Sequence, residues 1–220
     1  MENIARPIYL EELKSFKDKD LIKVVTGIRR CGKSTLFDLY CDYLISEGIS
    51  EEQIIRINLE DADFSFITNY KELYEYVKEK LNPNKMNYVF LDEVQNIEEF
   101  QKACDSLYIK KNVDLYITGS NAYLLSGELA TLLSGRYIEI KMLPLSFKEY
   151  ISYLGESDLQ IKYNNYITKS SFPYVLQLDT DKEIKTYLEG IYNTIVIKDI
   201  VNRKKIVDVS MLESVIKFMF

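Results

Sequence analysis

The segment with the clearest chemical signature is a glycine-bounded run, which we call the phosphate loop, with the sequence Gly27-Ile28-Arg29-Arg30-Cys31-Gly32-Lys33-Ser34. It matches the G-x-x-x-x-G-K-[ST] pattern at every defined position. Glycines let the backbone curl so that successive amide N–H groups point at phosphate oxygens. A helix that begins at the lysine adds the positive end of its dipole. The run therefore predicts a site for nucleotide phosphates.

Individual roles follow from the residue types in this loop. Lys33 suits the β- and γ-phosphates, and the hydroxyl of Ser34 suits Mg²⁺. Arg29 and Arg30 are two of only six arginines in the chain, and a planar guanidinium pairs well with phosphate or carboxylate. The alternative is that both are solvated loop cations. Cys31 is a candidate for oxidation or alkylation. The predicted nucleotide-binding residues are Gly27, Ile28, Arg29, Arg30, Cys31, Gly32, Lys33, Ser34 and Thr35.

A second signal is an apolar run that ends in two carboxylates, Tyr88-Val89-Phe90-Leu91-Asp92-Glu93. An apolar strand that ends in this way is the Walker B pattern, and it becomes specific when it follows a complete phosphate loop. Asp92 would hold Mg²⁺, usually through water, and Glu93 would orient and deprotonate an attacking water. The alternative is that the two acids cap a helix. Together the two signals predict the hydrolysis of bound ATP with Mg²⁺ as the metal.

Other polar positions are weaker candidates. Ser120 and Asn121 follow a predicted strand, where either of them, with Asn121 as the catalytic candidate, would contact the attacking water or the γ-phosphate, although an N-cap explains the same residues. Arg136 is a candidate arginine finger, acting in cis or on a neighbouring subunit, and a buried ion pair is the alternative. Glu60 and Asp61 either face the edge of the site or lie in a solvated loop.

Composition excludes several function classes. The 220 residues include no histidine, which rules out Ser-His-Asp and Cys-His sites and histidine-ligated zinc. The formal net charge of −6 gives no global case for nucleic-acid binding. A basic cluster at 198–205 is explained more simply as a solvated helix face. Three cysteines without C-x-x-C spacing fit a reducing compartment. No apolar run approaches the roughly 20 residues that span a bilayer. We therefore expect a cytoplasmic protein with neither nucleic-acid nor membrane partners.

Alternating apolar and amphipathic stretches must position these residues. Such alternation predicts an α/β fold with a parallel sheet. Apolar runs predict strands at 21–26, 54–59, 88–92, 113–118 and 137–141. Helical periodicity predicts helices at 33–46, 70–81, 97–110 and 122–133, and beyond Pro144 near 147–154, 162–169 and 181–198. The chemical signals thus fall directly after predicted strands.

Four segments together resemble the prokaryotic AAA-type P-loop ATPases of the AAA_14/DUF4143 architecture. They are Val24–Phe37, Leu91–Gln95, Ile117–Asn121 and Leu143–Tyr150. The Arg-Arg phosphate loop and the Leu143-Pro144-Leu145-Ser146-Phe147 run are the parts specific to this group. The resemblance implies a P-loop NTPase fold with a five-stranded parallel sheet in the order 5-1-4-3-2, followed by a small helical lid. It also implies adenine contacts from Arg6–Leu10.

The resemblance further implies a division of the chain. We expect a P-loop ATPase core at 1–145, a helical lid at 146–205, and the start of a C-terminal domain at 206–220. The apolar helical face of the last segment fits a chain that continues into such a domain. The expected function is an ATPase module that serves as motor or switch of a larger protein, with a homo-oligomer as a candidate assembly. The alternatives are a nucleotide-gated binding module with negligible turnover, or a kinase that uses another acceptor.

Overall fold

The computed structural model describes residues 4–120, 133, 135–195 and 209–219. Its centre is a five-stranded sheet in which every paired strand is parallel, in the order β2-β3-β4-β1-β5. Read from the other edge this is the predicted order 5-1-4-3-2, so the predicted fold class is confirmed. The strands are β1 (Ile22–Gly27), β2 (Ile54–Asn58), β3 (Asn87–Asp92), β4 (Val113–Ser120) and β5 (Tyr137–Met142).

Helices connect the strands and follow the sheet. Within the described ranges none of them is both long and apolar enough to cross a membrane. The predicted helix at 122–133 and the part of the last predicted helix beyond 195 lie outside the described residues, apart from Leu133. The helices are α1 (Pro7–Ser15), α2 (Lys33–Ser46), α3 (Tyr70–Lys80), α4 (Phe100–Tyr108), α5 (Phe147–Leu154), α6 (Leu159–Thr168), α7 (Asp181–Thr194) and α8 (Val209–Met219).

The first helix is the element that the sequence patterns do not predict. Proline at its first position suits a helix start, because the missing N–H would lack a helical partner anyway. Only Leu13 of this helix is fully buried, so the apolar periodicity is too weak to stand out. The helix packs against α2 beside the phosphate loop.

Two hydrophobic cores cover the two faces of the sheet. All six positions of β1 and of β3 are buried, as expected for central strands with a layer on each side. Successive side chains alternate between the layers: Val24 packs in the core that includes α3 and α4, and Val25 packs in the core that includes α1 and α2. The cores therefore hold β1, and the loop that follows it, from both sides.

Strand register brings the chemically interesting residues to one edge. Gly27 at the end of β1 pairs with Ser120 on β4. Asn58 at the end of β2 pairs with Asp92 at the end of β3. Ligand sites in open parallel sheets lie beyond the carboxyl ends of the strands. We therefore expect the ligand site at this edge of the sheet.

A buried polar network occupies the opposite, amino-terminal edge. The ammonium of Lys23 on β1 forms an ion pair with Asp114 on β4, and neither side chain is exposed by more than 1 %. The hydroxyl of Tyr116 donates to the same carboxylate at 2.7 Å, and Tyr40 lies 3.1 Å from Tyr116 between hydroxyl oxygens. This network satisfies its own charges far from the carboxyl edge.

Candidate functional site

A cleft of about 1030 Å³ lies at the carboxyl edge of the sheet. The phosphate loop and the start of α2 form one wall. Side chains that follow β2 and β3 form a second wall, and residues from 173–194 form the third. The lining residues are Arg29, Arg30, Gly32, Lys33, Ser34, Thr35, Asn58, Glu60, Glu93, Pro173, Tyr174, Gln177, Thr186, Tyr187, Gly190, Ile191 and Thr194.

Glycine is required at two positions of the phosphate loop for different reasons. A Cβ at Gly27 would lie 2.5 Å from the carbonyl oxygen of Met142 and 2.7 Å from Sγ of Cys31, closer than side chains approach. Gly32 has a φ of 102°, which disfavours residues with a side chain. Arg30 also has a positive φ, of 66°. The loop therefore adopts a tight curl that ends where α2 begins.

Lys33 and Glu93 meet across the cleft. The Nζ atom of Lys33 lies 3.3 Å from Oε1 of Glu93 and donates a hydrogen bond of 3.3 Å to the carbonyl oxygen of Gly27. Lys33 is 4 % exposed and Glu93 is 8 % exposed, so water screens their attraction weakly. Two residues predicted from separate motifs, one for phosphate and one for water, thus share one site.

Glu93 is held in an uncommon backbone conformation. Its φ is 56°, in the left-handed region that non-glycine residues rarely adopt. Its amide N–H donates to the hydroxyl of Thr118 at 3.0 Å, and the side-chain amide of Gln95 donates to its Oε2. Residues in such conformations cluster at functional sites, where the surroundings hold them in place. Thr118 therefore holds the backbone of Glu93, and Gln95 holds its carboxylate.

Thr118 connects the backbone of Glu93 to the carboxylate of Asp92. Its hydroxyl accepts the N–H of Glu93 and donates its single proton to Oδ1 of Asp92. Thr118 belongs to the run that carries the resemblance, but sequence reasoning gave it no role. Only the pairing of β3 with β4 reveals this contact.

Asp92 and Ser34 supply oxygen atoms suited to magnesium. Ser34 lines the main cleft, and Asp92 lines an adjoining cavity of about 210 Å³. Asn58 lines both spaces. In the described part of the chain no group of three or more cysteine or acidic side chains is arranged to hold a metal. Mg²⁺ needs no such group, because it takes one or two protein oxygens together with phosphates and water. The donors present fit magnesium held jointly with a nucleotide.

The loop arginines and cysteine have defined surroundings. Arg29 forms an ion pair of 3.3 Å with Glu60, whose side chain is half exposed, and surface pairs of this kind contribute little stability. Glu60 lines the cleft and is also exposed to solvent, which agrees with both interpretations drawn from the sequence. Cys31 is fully buried, and burial raises the pKa of its thiol, although Lys33 and Arg6 oppose the shift. The buried, protonated thiol is therefore a poor target for oxidation or alkylation.

The remaining predicted residues fall in different places. Arg136 is exposed and precedes β5 at the amino-terminal edge of the sheet, where its carbonyl accepts the N–H of Ile22 and its guanidinium lies 5.6 Å from the ring of Tyr108. Arg136 therefore lies at the edge of the sheet opposite to the carboxyl edge, where the cleft of its own chain is found. The backbone of Ser120 ends β4 beside Gly27. Asn121 lies outside the described residues.

Sequence reasoning missed the wall formed by 173–194. The rings of Tyr174 and Tyr187 are tilted against each other with centroids 5.0 Å apart. The hydroxyl of Tyr187 is buried and has no hydrogen-bond partner among the described residues. Burial raises the pKa of Tyr187, and the positive charge of Arg30 acts in the opposite direction. No spacing motif marks these residues, because they come from two separate elements, the turn at Pro173–Gln177 and α7, which both line the cleft.

A parallel sheet in this order, with a phosphate loop at its carboxyl edge and an acidic strand end beside it, defines the P-loop NTPase class. Within that class the chain belongs to the AAA domain family, whose model matches residues 19–151. This confirms the AAA-type resemblance, and the AAA/P-loop fold implies that the chain binds a nucleotide.

Two curated relatives cover most of the chain. An uncharacterized protein of Haemophilus influenzae is 43 % identical over 221 residues, which is 98 % of this chain and 55 % of the relative. An uncharacterized protein of Methanocaldococcus jannaschii is 32 % identical over 210 residues, covering 89 % and 45 %. The chain thus spans about half the length of these relatives.

Solved structures share the fold at low identity. The Walker-type ATPase of Pyrococcus abyssi matches with a TM-score of 0.60 and 15 % identity, covering 92 % of this chain and 76 % of the other. Cdc6p of Pyrobaculum aerophilum gives 0.51 and 11 %, covering 88 % and 62 %. AMPPCP-bound DnaA of Aquifex aeolicus gives 0.51 and 15 %, covering 90 % and 65 %. These likenesses concern the fold alone.

Proposed function

We propose that the chain is an Mg²⁺-dependent ATPase module that hydrolyses ATP to ADP and phosphate. The observation that carries this proposal is the 3.3 Å contact between Nζ of Lys33 and Oε1 of Glu93. At this distance Lys33 would bind a phosphate while Glu93 would act as general base on a water beside the same phosphate. A solved structure with the same fold, that of DnaA, contains the nucleotide analogue AMPPCP, which is consistent with a nucleoside triphosphate as ligand.

The phosphate loop supplies the binding part of the mechanism. Its backbone amides and the amino-terminal end of α2 would surround the phosphate oxygens. Lys33 would exchange its present partners for the β- and γ-phosphates and stabilise negative charge that develops during transfer. Ser34 and Asp92 would hold Mg²⁺, which when bound neutralises phosphate charge and orients the γ-phosphate. Tyr174 and Tyr187 would form the aromatic wall for the rest of the nucleotide.

Glu93 supplies the hydrolytic part. Once Lys33 turns to the phosphates, the Glu93 carboxylate is released to orient a water and accept its proton. Gln95 and Thr118 hold Glu93 from opposite ends, which limits the positions that its carboxylate can take. The water attacks the γ-phosphorus in line with the leaving ADP oxygen. The chain has no histidine and needs none for this step.

We further propose that the module is the motor or switch of a longer protein. The relatives are about twice as long as this chain, which supports a further domain in cis, and we propose that it lies on the C-terminal side. Arg136 lies on the far edge of the sheet, so an arginine finger at this position would act on a neighbouring subunit in a homo-oligomer. Sizing the protein with and without ATP tests that assembly, and a single size in both states would contradict it.

Phosphate release from ATP, measured with Mg²⁺ and again with EDTA, tests the ATPase proposal. Glu93→Gln should keep ATP binding and lower kcat by about 10²–10⁴-fold, since it removes the general base. Lys33→Ala should abolish tight ATP binding. The matched control is Glu75→Gln, the same chemical change on an exposed part of α3, and it should leave both quantities unchanged.

Two results would redirect the proposal. ATP binding without turnover in the full-length protein would favour a nucleotide-gated module that recruits a partner. Phosphoryl transfer to an added acceptor instead of water would favour a kinase. An unchanged kcat in Glu93→Gln would remove Glu93 from the mechanism.

A further inference from the structure

A buried arginine from the start of the chain contacts the back of the phosphate loop. Arg6 lies just before α1 and is 2 % exposed. Its Nη1 donates a hydrogen bond of 2.8 Å to the carbonyl oxygen of Cys31, inside the loop. Its Nη2 donates at 2.6 Å to the carbonyl oxygen of Leu143, just after β5. One planar guanidinium thus joins the loop to the end of the neighbouring strand.

A carboxylate from α5 holds this arginine in place. Oε1 of Glu149 lies 2.8 Å from Nε of Arg6, and both side chains are at most 5 % exposed. The other oxygen, Oε2, accepts hydrogen bonds from the backbone N–H and the hydroxyl of Ser146, at 2.8 and 2.9 Å. A buried ion pair is tolerated when its remaining hydrogen-bonding capacity is filled in this way. The guanidinium therefore has a fixed position behind the loop.

The hydrogen bond to Cys31 has a consequence on the other side of the same peptide plane. The described residues contain no cis peptide bond, and in a trans peptide the C=O and the following N–H point in opposite directions. Gly32 lines the cleft and Arg6 does not, so when the carbonyl of Cys31 is turned toward Arg6 we expect the N–H of Gly32 to face the cleft. Without the hydrogen bond from Arg6, the conformational freedom of Gly32 would let the Cys31–Gly32 peptide rotate.

We propose that Arg6, anchored by Glu149, is a positioning residue that keeps the phosphate loop in its anion-binding shape. It acts through the Cys31–Gly32 peptide and does not touch the nucleotide. The inference rests on the proposed nucleotide site and adds a residue to it. It also links α5 to the loop, because Arg6 bonds both the carboxylate of Glu149 and the carbonyl of Cys31. The stretch that contains Arg6 was expected to contact adenine, and the structure gives this residue a different set of partners.

ADP affinity and ATP turnover in three variants test this role. Arg6→Lys keeps the charge, but one ammonium cannot hold a carboxylate and two carbonyls in a planar fork. We expect about tenfold weaker ADP binding, a similar rise in KM for ATP and a kcat within about twofold of the parent, because the loop shape serves binding in the ground and transition states alike. Glu149→Gln keeps the shape of the anchor without its charge and should weaken ADP binding by about threefold.

Val77→Ala is the matched control for stability. Val77 is fully buried on α3, in the core on the other face of the sheet. This variant should lower the melting temperature and leave the ADP dissociation constant unchanged. Calorimetric titration of the folded proteins gives the affinities, and thermal unfolding gives the stabilities.

The outcomes separate this inference from the proposed function. A parent protein that binds no ADP overturns the proposed function. A parent that binds ADP while Arg6→Lys binds it equally well overturns the role of Arg6. Equal losses of affinity in Val77→Ala and Arg6→Lys also overturn it, because the effect would then follow stability. If Arg6→Lys does not fold, Glu149→Gln decides: weaker ADP binding supports the role and unchanged binding overturns it.

Discussion

Replacing Gly27 by alanine is expected to damage the phosphate loop and the sheet together. The new Cβ would lie 2.5 Å from the carbonyl oxygen of Met142 and 2.7 Å from Sγ of Cys31, whereas real Cβ contacts essentially never fall under 3.0 Å. The backbone of β1 or β5 must therefore move by about half an ångström. Overpacking of this kind costs about 1–3 kcal/mol. For a chain of this size each kcal/mol lowers Tm by about 2–4 °C.

The same displacement reaches the nucleotide, because Gly27 begins the phosphate loop. Misplacing active-site groups by about 1 Å lowers the reaction rate on the order of 100-fold. By the same scale, we expect a shift of half that size to weaken ATP binding by about tenfold. Thermal unfolding and calorimetric titration of ATP measure the two effects on one sample.

Gly155→Ala is a control with a comparable cost in stability. Gly155 ends α5 with a φ of 81° and has nothing within 4 Å of the Cβ position. Alanine there is strained by about 1–2 kcal/mol through its backbone alone. This variant should lose stability and keep ATP affinity. The steric reasoning would be refuted if Gly27→Ala lost less than about 0.5 kcal/mol, or if both variants lost affinity equally.

Two further predictions concern buried groups. The free energy of unfolding should fall as pH rises above about 9. Burial raises the pKa of Cys41 and Cys104 to about 12 and also raises the pKa of Tyr116. Above this pH the unfolded chain therefore releases protons that the native chain keeps, and each group changes the free energy of unfolding by up to about −1.4 kcal/mol per pH unit. Urea unfolding at three pH values checks this, and a flat profile would contradict it. Tyr187→Phe removes a buried hydroxyl without a described partner, so the apo protein should keep its stability or gain up to about 1 kcal/mol. ATP affinity should fall about fivefold if the hydroxyl contacts nucleotide, and titration showing unchanged affinity would remove it from the site.

The local motifs made the fold and the centre of the site predictable. A phosphate loop is contiguous in sequence, so the chemistry of Lys33 and Ser34 can be read without knowing any distant contact. The apolar run before Asp92 and Glu93 predicts a buried central strand for the same reason. Contact between Lys33 and Glu93 then follows from the parallel arrangement, which brings strand ends to one edge.

Residues that act through distant partners were beyond sequence reasoning. Arg6 and Glu149 are separated by 143 positions, and no spacing rule connects them. Thr118 has a role only because β3 and β4 are neighbours in the sheet. Tyr187 lies on α7, and the apolar periodicity of that helix predicts which face is buried but not which element packs against it. Pairwise geometry of this kind arises from the assembled fold.

The hydroxyl of Thr118 contacts the two acidic residues in different ways: it bonds the carboxylate of Asp92 but only the backbone N–H of Glu93. A threonine carries one hydroxyl proton, and here it points to Asp92 while the lone pairs face the amide of Glu93. The two hydrogen bonds therefore run in one direction, from the N–H of Glu93, just after β3, through the hydroxyl to the carboxylate of Asp92 at the end of β3. Serine could preserve them, whereas valine has nearly the same outline and would break both links. At position 118 we therefore expect natural sequences to keep a residue with a hydroxyl group, whether or not its size matches that of threonine.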